Sequence, residues 1–297
     1  MTPLGDPAGG PPRLVSVVIA AFNSADTLGV QLEALTTQDY GGMWEVIVSD
    51  NGSTDETAAL ARSFSGRLPG LRVVDSSDRR GASHARNVGV QAAQGDFIAT
   101  CDADDQVTDG WLAALTESAR GSDIVAGVLD PGGLNSPSVR RWRNPHPQEG
   151  LPTLMGFLPF ARTGNLGVWA GVVNRLGGWN EEYLAGQDVE FSWRAQLEGY
   201  RVGLARTALV RTRFRGSLRD LTRQGFSRGV AHARLYRDFK QHGLERPKIL
   251  TALRQWAWLA WHVADCRSTT GCGAWLWIAS TRWGRLRGSI RYRVLCL

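Results

Sequence analysis

The chain has 297 residues, of which 43% are apolar, enough to build one large or two small globular domains. The net charge of +6 is unevenly distributed: residues 205–297 hold 19 Lys and Arg against 4 Asp and Glu, whereas residues 1–204 hold 15 against 24. The four cysteines show no Cys-x-x-Cys spacing, which argues against a zinc site or a disulfide framework and indicates free thiols. No apolar run approaches the roughly 20 residues that cross a bilayer, so we expect a cytoplasmic protein.

The first half of the chain has a regular pattern. Residues 1–13 are rich in Gly and Pro, lack a signal-peptide core and are predicted to be disordered. After them, β-branched runs alternate with segments of helical periodicity, which predicts an α/β fold with a mostly parallel central sheet flanked by helices. Ligands of such sheets bind beyond the carboxyl ends of the strands. The predicted strands lie at 14–21, 44–49, 71–74, 96–101 and 123–129, and the predicted helices at 23–38, 53–64, 82–93 and 109–120.

The second half is less regular. Residues 130–167 are rich in Pro, Gly and Asn, which predicts a long loop region beside the site, where residues that select a substrate often lie. The later predicted elements are a helix over 187–198, two short strands over 201–204 and 208–214, a helix from Ser217 to about His242, and helices from 246 to the end.

The most informative feature is the run Asp102-Ala103-Asp104-Asp105, which follows the buried strand predicted at 96–101. Three carboxylates at the end of a strand repel one another unless a positive group neutralises them. A hard divalent cation that is itself bound to a phosphorylated substrate is the usual solution. A solvated acidic turn is the alternative for an isolated Asp-x-Asp. An EF-hand is disfavoured, because Val107 stands where that calcium loop requires glycine.

Several further motifs accompany this cluster. They are Ala21-Phe22-Asn23, Asp50-Asn51-Gly52-Ser53-Thr54-Asp55, the glycine-bounded segment 81–89, Gly95-Asp96, Gly177-Gly178-Trp179-Asn180-Glu181 and Gly186-Gln187-Asp188. With these motifs, from about Val15 to Phe214, the chain resembles the family 2 glycosyltransferases of the GT-A fold. The resemblance implies transfer of a sugar from a nucleotide-diphosphate donor, with inversion at the anomeric carbon. It also implies a GT-A domain over 14–215, after which the composition predicts a basic, Trp-rich helical extension over 216–297.

The resemblance assigns the residues that bind the donor. Asp50 accepts a hydrogen bond from the base, expected to be uracil, and its alternative role is to cap the turn before the next helix. Ala21 and Phe22 lie near that base. Arg86 and Asn87 contact the donor, since arginine forms bidentate contacts to phosphate oxygens. The alternative role of Arg86 is a salt bridge to the acidic cluster.

The resemblance also assigns the metal. Asp104 ligates Mg²⁺ or Mn²⁺, which bridges to the diphosphate and neutralises the charge that develops on the leaving group. Asp102 binds the ribose or a metal-bound water, with Ala103 between the two carboxylates. Members of the family often carry a His in the late strand, which this chain lacks. We expect Arg211 or Arg213 to contact the diphosphate instead, and metal dependence to be partial.

Asp188 is the predicted general base, because direct displacement requires a carboxylate that takes the proton of the attacking acceptor hydroxyl. Its position at the start of a helix favours the ionised form. A simple N-cap is the alternative role of this residue, and Glu190 is the alternative base. The resemblance places Trp179, Asn180 and Glu181 on the acceptor side, and core packing is an equally good role for Trp179.

The C-terminal residues 246–297 combine many tryptophans and arginines. Amphipathic helices of this composition lie in membrane interfaces and favour anionic lipid, which predicts a peripheral protein at the inner face of the cell membrane and a lipid-linked or glycan acceptor. Core packing is the alternative, with a small-molecule hydroxyl or a protein as acceptor. No recognised nucleic-acid motif accompanies the charge, so nucleic acid is not an expected partner.

Two other classes of protein compete with a glycosyltransferase. A nucleotidyltransferase also uses acidic groups and a metal, but it normally carries a Gly-rich basic loop after the first strand, which Ala20-Ala21-Phe22-Asn23-Ser24 is not. A scaffold that binds a nucleotide sugar without turnover is the second competitor. The missing His and Gln187, which stands where the family usually has Glu, favour that competitor.

Overall fold

The computed structural model of the protein describes residues 10–143 and 148–296. Most of the predicted disordered segment, 1–13, lies outside the described residues. The predicted alternation of strands and helices is confirmed over the first half of the chain. The strands are β1 (Leu14–Ala21), β2 (Met43–Asp50), β3 (Arg72–Asp75), β4 (Phe97–Asp102), β5 (Gln106–Val107), β6 (Ile124–Asp130), β7 (Asn165–Trp169) and β8 (Val202–Arg211).

Capping contacts set where two of the helices begin. The long helix that follows β8 is capped as predicted, because Ser217 Oγ accepts a hydrogen bond from the backbone N–H of Asp220 at 3.1 Å. The helix after β2 begins later than predicted, because Ser53 donates through its backbone N–H and its hydroxyl to Asp50 and remains in a turn. The helices are α1 (Ala25–Thr36), α2 (Thr57–Ser63), α3 (Ala82–Ala92), α4 (Trp111–Ser118), α5 (Pro137–Arg143), α6 (Ala170–Leu176), α7 (Gln187–Leu197), α8 (Leu218–Phe239), α9 (Ile249–Trp261) and α10 (Thr269–Tyr292).

The eight described strands form one sheet in the order β3-β2-β1-β4-β7-β6-β8-β5. The pairs β3–β2, β2–β1, β1–β4 and β6–β8 are parallel, while β7 runs antiparallel to both β4 and β6. In the parallel part, Ala20 pairs with Asp102, and Ala21 pairs with Asp50. The carboxyl ends of β1, β2 and β4 therefore share one edge of the sheet, as the α/β prediction requires.

The prediction of a continuous loop over residues 130–167 was wrong, because this segment contains α5 and the start of β7. Strand β7 begins with Asn165, which is buried but fully bonded: its Oδ1 accepts from Trp111 Nε1 at 2.9 Å, and its Nδ2 donates to the carbonyls of Val128 and Ala208. These partners are distant in sequence, so a local pattern cannot reveal that a polar residue fits there.

The two short strands predicted over 201–204 and 208–214 form the single strand β8. The pairing of β6 with β8 shifts in register there, because Ala126 pairs with Leu204 and Val128 pairs with Leu209. The extra residues therefore lie in β8, at the interruption over residues 205–207 that the sequence pattern indicates as a break between strands.

The C-terminal extension is packed onto the rest of the chain. Helix α10 lies along α8 and against α5. Glycines allow the close approach, since a Cβ at Gly229 would lie 2.2 Å from the carbonyl oxygen of Thr281, and one at Gly284 would lie 2.1 Å from that of Phe226. No helix in the described ranges is long and apolar enough to span a bilayer. Trp277 is partly buried, whereas Trp261 is 86% exposed, so the core-packing interpretation holds for Trp277 and does not account for Trp261.

Candidate active site

A cavity of about 770 Å³ opens at the carboxyl ends of β1 and β4. It is the place where the fold gathers residues that are far apart in the chain. The residues that follow β1 contribute what we call the wall of the cavity, the end of β4 contributes what we call its floor, and the first turn of α7 also lines it. The predicted site residues in its lining are Phe22, Arg86, Asp102, Ala103, Asp104 and Asp188.

The acidic cluster forms the floor of this cavity. Asp102 ends β4, and its Oδ1 lies 2.8 Å from Nη2 of the buried Arg86. Asp104 lies 3.3 Å from Nη1 of Arg215. Asp105 accepts a hydrogen bond from the backbone N–H of Arg213 at 2.8 Å. Both predicted roles of Arg86 are therefore compatible, because it pairs with the cluster and also lines the cavity.

The cluster has the chemistry of a divalent-cation site. Burial and the charges of Asp102 and Asp104 raise the pKa of Asp105 to about 8, and burial followed by Asp102 raises the pKa of Asp104. Each of the three aspartates offers one oxygen atom, and these atoms lie within 4.8 Å of one another. Mg²⁺ and Mn²⁺ prefer such hard oxygen ligands, and either ion would relieve both the repulsion and the cost of burial. The residues present therefore fit the predicted metal.

Arg86 carries a further sign of a missing ligand. Its Nη1 is buried and has no hydrogen-bond partner among the described residues, although Nη2 of the same guanidinium is paired. A buried unpaired guanidinium nitrogen is costly, and an anionic oxygen atom from a ligand in the cavity would satisfy it.

Asp188 lies in the first turn of α7 and lines the same cavity as the acidic cluster. Gly186 precedes it with a φ of +75°, a conformation that glycine adopts without strain and that starts the helix sharply. Asp188 Oδ1 accepts a hydrogen bond from the backbone N–H of Val189 at 2.9 Å, and no side chain in the described ranges bonds to this carboxylate. Burial raises the pKa of Asp188, while the cations Arg162 and Arg228 oppose that rise.

Glu190, the alternative base, is occupied elsewhere. Its carboxylate forms two hydrogen bonds with Arg194, at 2.9 and 3.1 Å, and the residue does not line the cavity. A carboxylate held by a guanidinium is a weaker base than one without such a partner. The geometry therefore favours Asp188 over Glu190.

The structure places the other predicted residues outside the cavity lining. Asp50 accepts hydrogen bonds from the backbone N–H and the hydroxyl of Ser53. It therefore caps this turn, which is the alternative role predicted for it. Ala21 is buried in β1.

Asn87 links α3 to the predicted acceptor motif, since its side chain bonds to the backbone of Trp179 and to Glu181. Trp179 is 1% exposed and stacks on Phe191 with ring centroids 4.7 Å apart, so it packs in the core. Asn180 caps the next turn by accepting from the N–H of Glu182. The cavity lining does not include this motif.

The cavity also holds residues that the motifs did not reveal. They are cationic or aromatic, and they come from the irregular segment 130–167, from the end of β8 and from the helical extension. Two signals in the sequence indicated them indirectly: the basic composition of the extension, and the predicted position of segment 130–167 beside the site. They are Arg143, Arg162, Arg215, Arg228, His232 and Trp277.

The comparison with known families decides the assignment. Residues 16–177 match the sequence profile described as "Glycosyl transferase family 2". The chain belongs to this family. Among curated relatives of this family 2 chain, Glycosyltransferase AglE of Haloferax volcanii is 31% identical over 198 residues, which cover 64% of each chain. Succinoglycan biosynthesis protein ExoO of Rhizobium meliloti is 38% identical over 128 residues, 42% of this chain and 36% of the relative.

The matched part spans less than two thirds of the length of these curated relatives. Solved structures share the fold of the family 2 chain. A mannosyltransferase, PcManGT from Pyrobaculum calidifontis, in complex with GDP-Man and Mn²⁺, superposes with a TM-score of 0.61 at 20% identity, covering 98% of this chain and 78% of that one. Residues 1–349 of S. aureus TarS in complex with UDP give 0.52 at 18% identity, covering 93% and 91%. The predicted GT-A fold is confirmed.

Proposed function

We propose that this family 2 chain is an inverting glycosyltransferase, which moves a sugar from a nucleotide-diphosphate donor to an acceptor hydroxyl. One observation carries the proposal: the acidic cluster and Asp188, more than 80 residues apart in sequence, line the same cavity at the carboxyl end of the sheet. The structural neighbours support a nucleotide-sugar donor, since one holds GDP-Man with Mn²⁺ and others hold UDP or UDP-GlcNAc.

The donor would lie across the wall and the floor of the cavity. Phe22 is 49% exposed there, and the guanidinium of Arg80 lies 4.3 Å from the centre of its ring. This pair offers a flat surface on which a base stacks. Arg86 presents its unpaired Nη1 to the diphosphate. Asp104 and Asp102 would hold Mg²⁺ or Mn²⁺, and the bound ion would stabilise the charge of the departing diphosphate. We take a UDP-sugar as the first donor to test.

Asp188 would take the proton of the acceptor hydroxyl as its oxygen attacks the anomeric carbon. The carboxylate has no side-chain partner among the described residues, so it can accept this proton directly. Burial raises its pKa towards the working pH, which makes it a stronger base than an exposed aspartate. A single displacement by an attacking hydroxyl on the face opposite the diphosphate inverts the anomeric configuration.

The function is tested by donor binding and turnover together. A thermal-shift screen of nucleotide-diphosphate sugars with Mn²⁺ identifies the donor, and release of the nucleoside diphosphate measures its hydrolysis and transfer. We expect a stabilised complex and slow release without acceptor. Stabilisation with no release at high protein concentration would instead identify a scaffold without turnover. A product with retained anomeric configuration, read by NMR, would contradict direct displacement by the acceptor.

Helix α9 supports an accessory membrane contact. Leu250, Leu253 and Trp261 follow one face of this helix and are 58%, 59% and 86% exposed. Residues 246–267 carry four Lys and Arg against one Asp, so the segment that holds this face is positively charged. An apolar face on a positively charged segment fits an anionic bilayer surface.

Sedimentation with vesicles tests this contact. We expect binding to vesicles that contain phosphatidylglycerol and little binding to pure phosphatidylcholine vesicles. Leu253→Glu should abolish the binding, whereas Met43→Glu, at an exposed position on β2, should leave it intact. Equal binding by both variants would exclude α9 as the contact.

A further inference from the structure

Three arginines that the donor does not explain line the same cavity as Asp188. Arg143 ends α5, Arg162 precedes β7, and Arg228 lies in the middle of α8. All three line the cavity. Arg143 lies 4.7 Å from the ring centre of Trp277 and Arg228 lies 5.8 Å from it, so one tryptophan of α10 packs against both guanidinium groups.

Asp188 is the carboxylate whose charge acts on this group of cations, since it opposes the fall in the pKa of Arg162 and of Arg228. No carboxylate in the described part of the chain lies within salt-bridge distance of Arg143, Arg162 or Arg228, whereas Arg86 and Arg215 are each paired with the acidic cluster. Burial, and then the charges of Arg228, Arg162 and Arg215, lower the pKa of Arg143 to about 10. Burial also lowers the pKa of Arg162 and of Arg228. Unpaired cations in a half-enclosed cavity are costly, and such sites are typical of anion binding.

The donor does not balance this charge. A divalent cation and the diphosphate of a nucleotide sugar carry charges of about +2 and −2, so together they add almost no net charge to the cavity. Arg86 and Arg215 pair with carboxylates of the acidic cluster. The whole lining holds six arginines against five aspartates, since Asp26 also lies in it, which leaves one positive charge. That charge is concentrated where Arg143, Arg162 and Arg228 lie, because Arg162 and Arg228 both act on Arg143. A phosphate group offers three acceptor oxygen atoms to these guanidinium groups, whereas a carboxylate offers two.

We propose that the acceptor carries a phosphate group, and that Arg143, Arg162 and Arg228 bind this group while the acceptor hydroxyl lies at Asp188. The inference rests on the proposed function and specifies its acceptor. The phosphate is a recognition element and is not transferred. The hydroxyl oxygen forms a bond to the anomeric carbon, its proton goes to Asp188, and the bond from that carbon to the diphosphate breaks with its electron pair. Arginine suits the task because its planar fork donates two parallel hydrogen bonds to phosphate oxygens.

The experiment measures phosphate binding with the donor site filled. Calorimetry of the protein saturated with Mn²⁺ and UDP, or GDP if that nucleotide binds instead, is carried out with sn-glycerol 3-phosphate, and glycerol serves as the uncharged control. We expect the phosphate ester to bind and glycerol not to bind. Arg143→Gln and Arg228→Gln should each weaken phosphate binding by about 10-fold or more, the scale of a lost charge-assisted hydrogen bond. Their affinity for the nucleoside diphosphate should stay within about twofold.

Two further variants separate charge from geometry. Arg228→Lys keeps the charge but loses the fork, so we expect an intermediate affinity for the phosphate ester. Arg219→Gln, at an exposed position on the same helix and outside the cavity, should leave the affinity for the phosphate ester unchanged.

A separate experiment identifies the source of the phosphate. Transfer to a soluble sugar phosphate is compared with transfer to a prenyl diphosphate-linked sugar, which distinguishes a soluble acceptor from a lipid-linked one.

The outcomes separate this inference from the proposed function. Absence of phosphate binding by the nucleotide-saturated wild-type protein would overturn the inference and leave the glycosyltransferase proposal standing. A parallel loss of nucleotide affinity in Arg143→Gln and Arg228→Gln would also overturn it, because the arginines would then serve the donor. Failure of any nucleoside diphosphate to bind with Mn²⁺ would refute the proposed function itself.

Discussion

Arg86 and Asp102 form an ion pair at the floor of the cavity, with 2.8 Å between Nη2 and Oδ1. The pair joins α3 to the end of β4, and Arg86 is only 5% exposed. One guanidinium nitrogen is thereby held by the protein, while the other is buried and has no partner among the described residues. We propose that the same arginine positions an aspartate of the candidate metal site and contributes to binding the donor.

Replacement of Arg86 by Ala removes both contacts. We expect the affinity for the nucleoside diphosphate with Mn²⁺ to fall by about 10-fold or more, because a charge-assisted hydrogen bond is lost and Asp102 loses its partner. Calorimetry measures the change. Arg67→Ala, which removes an exposed pair with Glu33, is the matched control and should have no effect. Wild-type affinity in Arg86→Ala would exclude a donor contact.

Asp104→Ala should weaken donor binding specifically when metal is present. The carboxylate offers an oxygen to the shared cation site, so its removal leaves fewer ligands for the ion. The measurement is the UDP affinity with and without Mn²⁺, and the expected result is a smaller difference between the two. If both the affinity and the metal effect were unchanged, Asp104 would not be a ligand.

Asp188→Asn should keep donor binding and lower turnover by at least about 100-fold, the usual scale for the loss of a general base. The amide is nearly the same size as the carboxylate but cannot accept the proton. Steady-state rates and calorimetry on the same preparation separate the two effects. Glu190→Gln disrupts only the pair with Arg194 in this region, and it serves as the comparison. Near-normal rates in Asp188→Asn would exclude this base.

The pH dependence of the transfer rate should report Asp188. The residue is active only as a carboxylate, so the rate falls as the pH drops through its pKa. Burial raises that pKa above the ordinary value of an aspartate, so the acid limb should lie at a higher pH than for an exposed carboxylate. The nucleotide affinity must be measured over the same pH range, to separate the base from the metal site. A rate that stays constant down to the ordinary pKa of aspartate would contradict the assignment.

Asn165→Leu should destabilise the fold by at least about 3 kcal/mol, since the indole N–H of Trp111 and two buried carbonyls lose their partner at about 1–3 kcal/mol each. Urea denaturation measures the difference. Ser63→Ala removes an exposed hydroxyl that bonds only within its own helix, and it should change the free energy of unfolding by less than about 0.5 kcal/mol. Equal stabilities would show that Asn165 is not needed to hold β7 between β4 and β6.

Part of the site was predictable from local patterns. Asp102 and Asp104 follow a buried strand, and Asp188 follows a glycine that starts a helix, so each stands at an end of an element that the sequence itself marks. The α/β alternation then places strand ends at one edge. Phe22 and Arg86 were reached through the family resemblance, and the structure lines the cavity with both.

The roles of other residues could not be predicted from local sequence patterns. Asp50 and Trp179 carry strong motif signals, yet one caps a turn and the other packs in the core, because each has a local or tertiary partner that a motif does not show. Arg143, Arg162 and Arg228 belong to three different segments, and none lies in a motif. Their meeting depends on the packing of α10 along α8 and against α5.

The sequence by itself determined the alternation of strands and helices, the carboxylates at the strand and helix ends, and the family. The elements and their ends follow from periodicity and capping, which act over a few residues, whereas the family follows from the set of motifs that resembles it. Only the tertiary structure decided that β7 enters the sheet antiparallel, that an aromatic ring of the extension reaches the cavity, and that three arginines line the same cavity as Asp188. The physical reason is that burial, hydrogen-bond satisfaction and charge balance depend on partners that are distant along the chain.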